Sequence, residues 1–365
     1  MTHQMPRLPE TTESPNRPRP RPSTDSGPDS GTRTHARRAS LVLAGTLLAL
    51  VLAVVASVMF GVRVIGVTDA LAALQGHADT AAQAAAYVRV PRTILAVLVG
   101  ASLAVAGTVF QGVTRNPLAD PGIFGVLAGA SLAVVTGITF FGLARPFSTM
   151  AVAIVGSFLA ATFVYAVGSL GRGGATPLKL ALAGAATAAA ISSLVSAIVL
   201  PRADVMDTFR FWQIGSVGGA QWPHLAAAVP LLLLGAGIAA YCAHGLNALA
   251  LGDSLASGLG FHAARTRLLA TIGAVILCGC ATALAGPIAF IGLIVPHLMR
   301  VLVGTDHRVL LPACALGGAV VLTVADTVGR LIARPEELAV GILMPFLGAP
   351  LFIWIIRRTK IRELA

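Results

Sequence analysis

Apolar runs of membrane-spanning length, separated by polar or proline- and glycine-rich breaks, fill the chain from Leu41 to Ile356. At about 1.5 Å of rise per residue, roughly 20 apolar helical residues cross a hydrocarbon core of about 30 Å. About ten such spans are predicted: Leu41–Phe60, Thr93–Gly112, Ile123–Leu143, Thr149–Leu170, Leu178–Leu200, Leu225–His244, Leu268–Ala285, Ile288–Val303, Leu310–Leu331 and Leu338–Ile356. Strands of alternating polarity, the mark of a membrane β-barrel, are missing from the pattern. The expected fold is therefore an all-α, polytopic helix bundle.

The second run organises the rest. In RVPRTILAVLVGASLAVAGTVFQGVTRNPLADPGIFG (residues 89–125) no charge falls between Thr93 and Thr114. Pro91 suits a helix start, and Gly100, Ala104 and Gly107 leave gaps where another helix can pack closely. Asp120 is placed to cap the next helix, with Pro121 in its first turn. Arg89 and Arg92 then fall at a helix N-terminus, where the dipole disfavours cations. Some other group must favour arginine there: lipid headgroups or an acidic partner. Gln111, Thr114, Asn116 and Asp120 gather into a polar mouth at the other end.

Outside the spans, residues 1–39 are rich in Pro, Ser, Thr, Arg and Gly and predict a disordered basic tail on the cytoplasmic side. Residues 40–365 form the membrane domain. The stretch 62–88 is an outer segment with room for a short helix around Thr68–Gln75. A second outer segment, 201–223, carries Phe211, Trp212 and Trp222, aromatics suited to an interface belt. Inner loops fall at GRGGATP (residues 171–177) and at 245–267.

Composition agrees with lipid as the solvent: 56% hydrophobic, 11% charged, mean hydropathy +0.83. The net charge of +11 invites a nucleic-acid reading. Seven of the 26 Lys and Arg lie in residues 1–38 and four crowd the C-terminal tail, however. With both termini inside, Lys and Arg fall mostly on inner segments, so the charge reads as topology. Cys242, Cys278, Cys280 and Cys314 lie in or beside apolar runs and form neither a disulfide framework nor a metal site.

Catalytic candidates are few. Asp326, the carboxylate that falls inside a span, stands four residues before Arg330, so the two can pair on one helix face. His297, beside Pro296 and three residues before Arg300, suits a helix-packing hydrogen-bond donor, and His307 belongs to the following loop. The only lysines, Lys179 and Lys360, follow Leu and Thr, so no GxxxxGK[ST] phosphate loop exists. If ATP drives this protein, another chain hydrolyses it. In LGDSLASGLGF (residues 251–261), Leu251, Leu255 and Leu259 fall at i, i+4 and i+8, an apolar stripe on a short helix that Gly258 and Gly260 can end.

Six segments in order, RVPRTILAVLVGASLAVAG, QGVTRNPLADPGIFG, WQIGS, GLIVPHLMRVLVGTDHRVLLP, ADTVGR and PEELAVGILMPFLGAPLFIW, closely resemble the FecCD-type permeases of ABC importers for iron–siderophore, haem and cobalamin. The resemblance spans the chain from about Leu41. It implies the permease subunit of a type II importer in a bacterial plasma membrane. Two permease subunits, identical or not, surround one path with two cytoplasmic ATPases, which bind the ATP and Mg, and an extracytoplasmic binding protein. An iron–siderophore is the implied cargo, with cobalamin or haem as the alternative. Carried over by position, Arg89, Arg92 and Arg330 resemble arginines that receive acidic residues of the binding protein. Asn116 and Leu118, with Gln111 beside them, resemble the inner gate. Leu251, Gly252, Asp253, Leu255, Ala256, Leu259 and Gly260 resemble the helix that couples to the ATPase. Pro296, His297, Arg300 and Asp326 read as structural. Two departures stand out: Ser257 replaces the arginine usual after Ala256, and ATPLK places Pro177 and Leu178 where small polar residues occur. No resident cofactor, metal or nucleic acid is implied. An intramembrane enzyme or an ion-coupled carrier would need polar groups at membrane depth, and the Asp326–Arg330 pair is too little for either.

Overall fold

The structure, a computed structural model, describes residues 30–363 apart from 62–63, 67, 70–71, 73–74, 77–78, 144 and 172–175. Among the described residues every regular element is helical. They are α1 (Ser30–Met59), α2 (Ala81–Thr114), α3 (Val126–Phe141), α4 (Pro146–Ser169), α5 (Pro177–Val199), α6 (Ala203–Ile214), α7 (Trp222–Tyr241), α8 (Ala243–Ala250), α9 (Asp253–Gly258), α10 (Ala263–Ala285), α11 (Ile291–Val303), α12 (His307–Ile332) and α13 (Val340–Glu363), with a 3-10 turn at Pro121–Phe124. Seven helices are long and apolar enough to cross a membrane, and α3, α11 and the 340–353 part of α13 are shorter apolar helices. These correspond to the expected spans one for one.

Three boundaries differ from expectation. Helix α1 starts at Ser30, inside the stretch expected to be disordered. Thr34–Ala39 supplies Ala and Arg, good helix formers that extend a helix already nucleated by its apolar part. Residues 1–29 lie outside the described residues, as do half of 68–75 and the middle of 171–177. Helix α2 starts at Ala81, so Pro91, Arg89 and Arg92 are interior. Thr80 and Gln83 form a reciprocal capping box (3.2 and 3.3 Å) ahead of the alanine-rich AAQAAA, which is where the helix nucleates. Within the segment 201–223 lies the helix α6, where the half-buried Trp212 stacks on Phe209; Trp222 is exposed, and the side chain of Phe211 lies outside the described residues.

Helix α2 is the central post. It packs most closely on α12 and α10, and nearly every side chain from Ala86 onward that faces a neighbour is buried. Two contacts set the spacing: a Cβ on Gly100 would overlap the Gly318 carbonyl, and one on Gly107 would overlap the Gly292 carbonyl. Backbones therefore approach closely at both points, as small residues between membrane helices permit. Asp120 accepts from Gly122 N (2.9 Å) and caps the 3-10 turn with Pro121 at its start, as the sequence predicted.

Candidate functional site

At the end of the bundle where α1 and α12 finish, Arg89, Arg92 and Arg330 come together, but as a buried network and not as an open ring. Arg330 is 1% exposed. Its Nη1 donates to the carbonyls of Ser57 (3.0 Å) and Phe60 (3.2 Å), and its Nη2 donates to Ser57 Oγ (2.8 Å). Arg89 Nη1 donates to the carbonyls of Val58 (3.1 Å) and Met59 (3.3 Å). The carbonyls of Ser57, Val58 and Met59 belong to the last turn of α1, with Phe60 directly after it; that turn has no intrahelical donors and carries the negative end of the dipole. That is the group that favours arginine here. The unfavourable N-terminus inferred from sequence does not exist, because α2 begins further upstream.

Arg92 faces the other way. Its Nε and Nη2 clasp the Asp326 carboxylate (2.8–3.1 Å), and its Nη1 donates to Glu337 Oε2 (2.5 Å). Asp326 also pairs with Arg330 at 3.1 Å, the i, i+4 contact expected on one helix face. Two buried guanidiniums thus share one buried carboxylate, and Glu337, with a side chain 41% exposed, supplies the second negative charge at the rim. Sequence reasoning missed Glu337. Its position directly before the last apolar run, in a chain with 15 acids against 26 bases, was the available signal.

At the opposite end the polar mouth resolves into locally satisfied groups. Thr114 Oγ1 donates to Phe110 O (2.7 Å), and Asn116 Oδ1 accepts from Leu118 N (2.9 Å) in a tight turn. Gln111 is buried: it donates to Gly292 O (3.2 Å) and accepts from Arg300 Nη2 (2.9 Å), tying α2 to α11. Of the three gate candidates, Leu118 is the exposed one, by about half. Pro296 is buried inside α11, while His297 is half-buried and has no hydrogen bond among the described residues, against the donor role expected. His307 opens α12 and does not belong to a loop; its backbone N and Nδ1 both contact Asn247 Oδ1 (2.9 and 2.7 Å). The described residues hold no cluster of His, Cys, Asp or Glu suited to a metal.

The stretch 251–260 is not one continuous stripe. Leu251 closes α8, Gly252 takes a φ of 111° that only glycine adopts without strain, and α9 starts afresh at Asp253. Leu251, Leu255 and Leu259 are all about three-fifths exposed, while Ala256 is fully buried beneath them. A second positive φ at Gly260 turns the chain into α10. The Asp253 carboxylate accepts from Arg267 Nη1 (3.0 Å) and Nη2 (2.7 Å) and from Arg115 Nη2. Hydrogen bonds from Arg267, chiefly, and from Arg115 hold its pKa below the usual carboxylate range.

A lysine-poor helical bundle with an exposed leucine-bearing helix at one end is matched by known proteins. Residues 47–358 match the FecCD transport family. This chain belongs to that family. It is 41% identical over 321 residues to the ferric enterobactin transport system permease protein of Escherichia coli (strain K12), covering 87% of this chain and 96% of that one. It is 41% identical over 278 residues to the hemin transport system permease protein of Yersinia pestis, covering 75% and 83%. Among solved structures, an inward-facing metal-chelate type ABC transporter superposes with a TM-score of 0.77 at 31% identity, covering 87% and 99%. The FecCD membership makes this an ABC permease with an all-helical membrane fold.

Proposed function

We propose that this FecCD permease carries an iron–siderophore chelate into the cytoplasm as the membrane subunit of an ATP-driven importer. The observation that carries the reading is the similarity, over almost the whole of both chains, to a ferric enterobactin permease. Two permease subunits enclose the path, and both termini lie on the cytoplasmic side. Two ATPase chains bind ATP and Mg and dock on α9, whose leucines are displayed and not folded back on their own helices. Closure of the ATPases shifts α9 and switches which gate is open, with Asn116 and Leu118 at the inner one. Gln111 acts there as a strut between α2 and α11.

At the other end an extracytoplasmic binding protein docks over the arginine network. Arg89 and Arg330 are committed to α1, so they hold that surface in shape. Arg92 receives the partner, because an acidic residue can replace the half-exposed Glu337 on Nη1. The test is uptake by the chain reconstituted with its ATPase and binding protein, offered radio-iron chelates of enterobactin, citrate and a hydroxamate beside haem and cobalamin. ATP-dependent uptake of a ferric siderophore above the other cargoes is expected. Uptake confined to haem or cobalamin would overturn the assignment.

A further inference from the structure

We infer that Asp253, clasped between Arg115 and Arg267, is the link through which movement of α9 reaches the inner gate; this deepens the importer reading and rests on it. Three elements meet at this one carboxylate. Asp253 is the first residue of α9. Arg267 rises from the second turn of α10 and is 5% exposed, and its planar fork grips both carboxylate oxygens. Arg115 caps the end of α2 in a left-handed conformation (φ 49°) and is joined by one peptide bond to Asn116. The gate turn Asn116–Leu118 is therefore the continuation of the residue that holds Asp253.

Packing makes this connection only at second hand, because α8, on which α9 rests, itself packs on α2. The six-residue α9 rests on α8 and on the foot of α10. Between Leu251 and the two neighbours of Asn116, Arg115 and Pro117, lies a cavity of about 540 Å³, also lined by Asn247, Arg300 and His307. The Arg115–Asp253 ion pair is the direct polar bridge beside that space. A displaced α9 pulls on Arg115 through it, and the pull is passed to the end of α2, where the Arg115 backbone N–H is held by Gln111 O and Gly112 O.

The two arginines divide the work. Arg267 is buried and needs its carboxylate, so it anchors α9 to α10. Arg115 and Asp253 are 32% and 51% exposed at their side chains, and pairs this accessible add little to stability. Their pairing is thus suited to transmission: it can be made or released without unfolding anything. Asp253 is a positioning residue here, acting through Arg115 on the gate.

The test uses the whole complex with its ATPase, in lipid, and Arg115→Gln as the variant. Transport of a radio-iron siderophore per ATP hydrolysed should fall by about fivefold or more, the lower end of ordinary coupling between sites. The ATPase should still co-purify, and Arg115→Lys should restore part of the coupling. A second readout is thiol labelling of Leu118→Cys, which reports the gate without interference because all four native cysteines are buried. Its labelling rate should change with ATP when Arg115 is present and lose that response in the Arg115→Gln background. If Arg115→Gln keeps both the transport ratio and the ATP-dependent labelling, the link is wrong while the importer reading stands. If the wild-type complex moves no chelate and the Leu118→Cys label ignores ATP, the importer reading falls and the link with it.

Discussion

Replacing Arg330 by methionine should destabilise the chain itself before it affects any partner. The stem keeps most of its packing, but the guanidinium's hydrogen bonds to Ser57 O, Phe60 O and Ser57 Oγ disappear. Two carbonyls at the end of α1 then lie without this donor at a site where Arg330 is 1% exposed. Removing one partner of a buried ion pair costs roughly 3–5 kcal/mol. The lower end applies, because Asp326 keeps its bidentate contact with Arg92 and is not left as an orphan charge. A loss of about 3 kcal/mol is roughly a hundredfold in the folded-to-unfolded ratio. Arg330→Lys retains the charge but not the fork, and should fall between the two. The assay is the unfolding midpoint of the purified chain in detergent, followed by loss of the monodisperse species on heating. An Arg330→Met chain that unfolds at the wild-type midpoint, yet binds the binding protein more weakly, would refute the reasoning. It would mean that Arg330 is held free for docking and that α1 is capped by something else.

Leu255→Asp should leave the permease folded, since the side chain is exposed, while desolvation of the new charge at the ATPase contact abolishes stimulated hydrolysis and transport; wild-type stimulation would remove α9 from the coupling role. The pH dependence follows from Asp253. Its folded pKa is lowered by Arg267, so the pairing is fully present above the unfolded value of about 3.9 and is lost only as pH falls through the lower folded value. Coupling should therefore be flat between about pH 5.5 and 8; a decline across that window that Asp253→Asn abolishes would contradict the assignment.

Much of this protein is local in origin. Span length, the uncharged run from Thr93 to Thr114, the Asp120 cap and the i, i+4 spacing of Asp326 and Arg330 are properties of neighbours along the chain. They can be read without knowing what packs where, because helix geometry is set by the backbone and the span by the bilayer. The missing phosphate loop is equally legible, since a motif must be contiguous. Gly100 and Gly107 announced close packing, although the partners, Gly318 and Gly292, could not be named.

What tertiary structure decided was which charge meets which. Arg92 and Asp326 are 234 residues apart and Arg115 and Asp253 138 apart, so no periodicity connects them. The uncharged run marks the span but not the start of α2, because the helix nucleates upstream at the capping box and the alanine-rich AAQAAA. That one shift reverses the electrostatics of Arg89. Judged as the start of α2, the site repels a cation; in the fold, Arg89 and Arg330 sit on the carbonyl end of α1 and are attracted to it. A helix dipole acts on whatever the fold places beside it, and only the assembled bundle determines what that is.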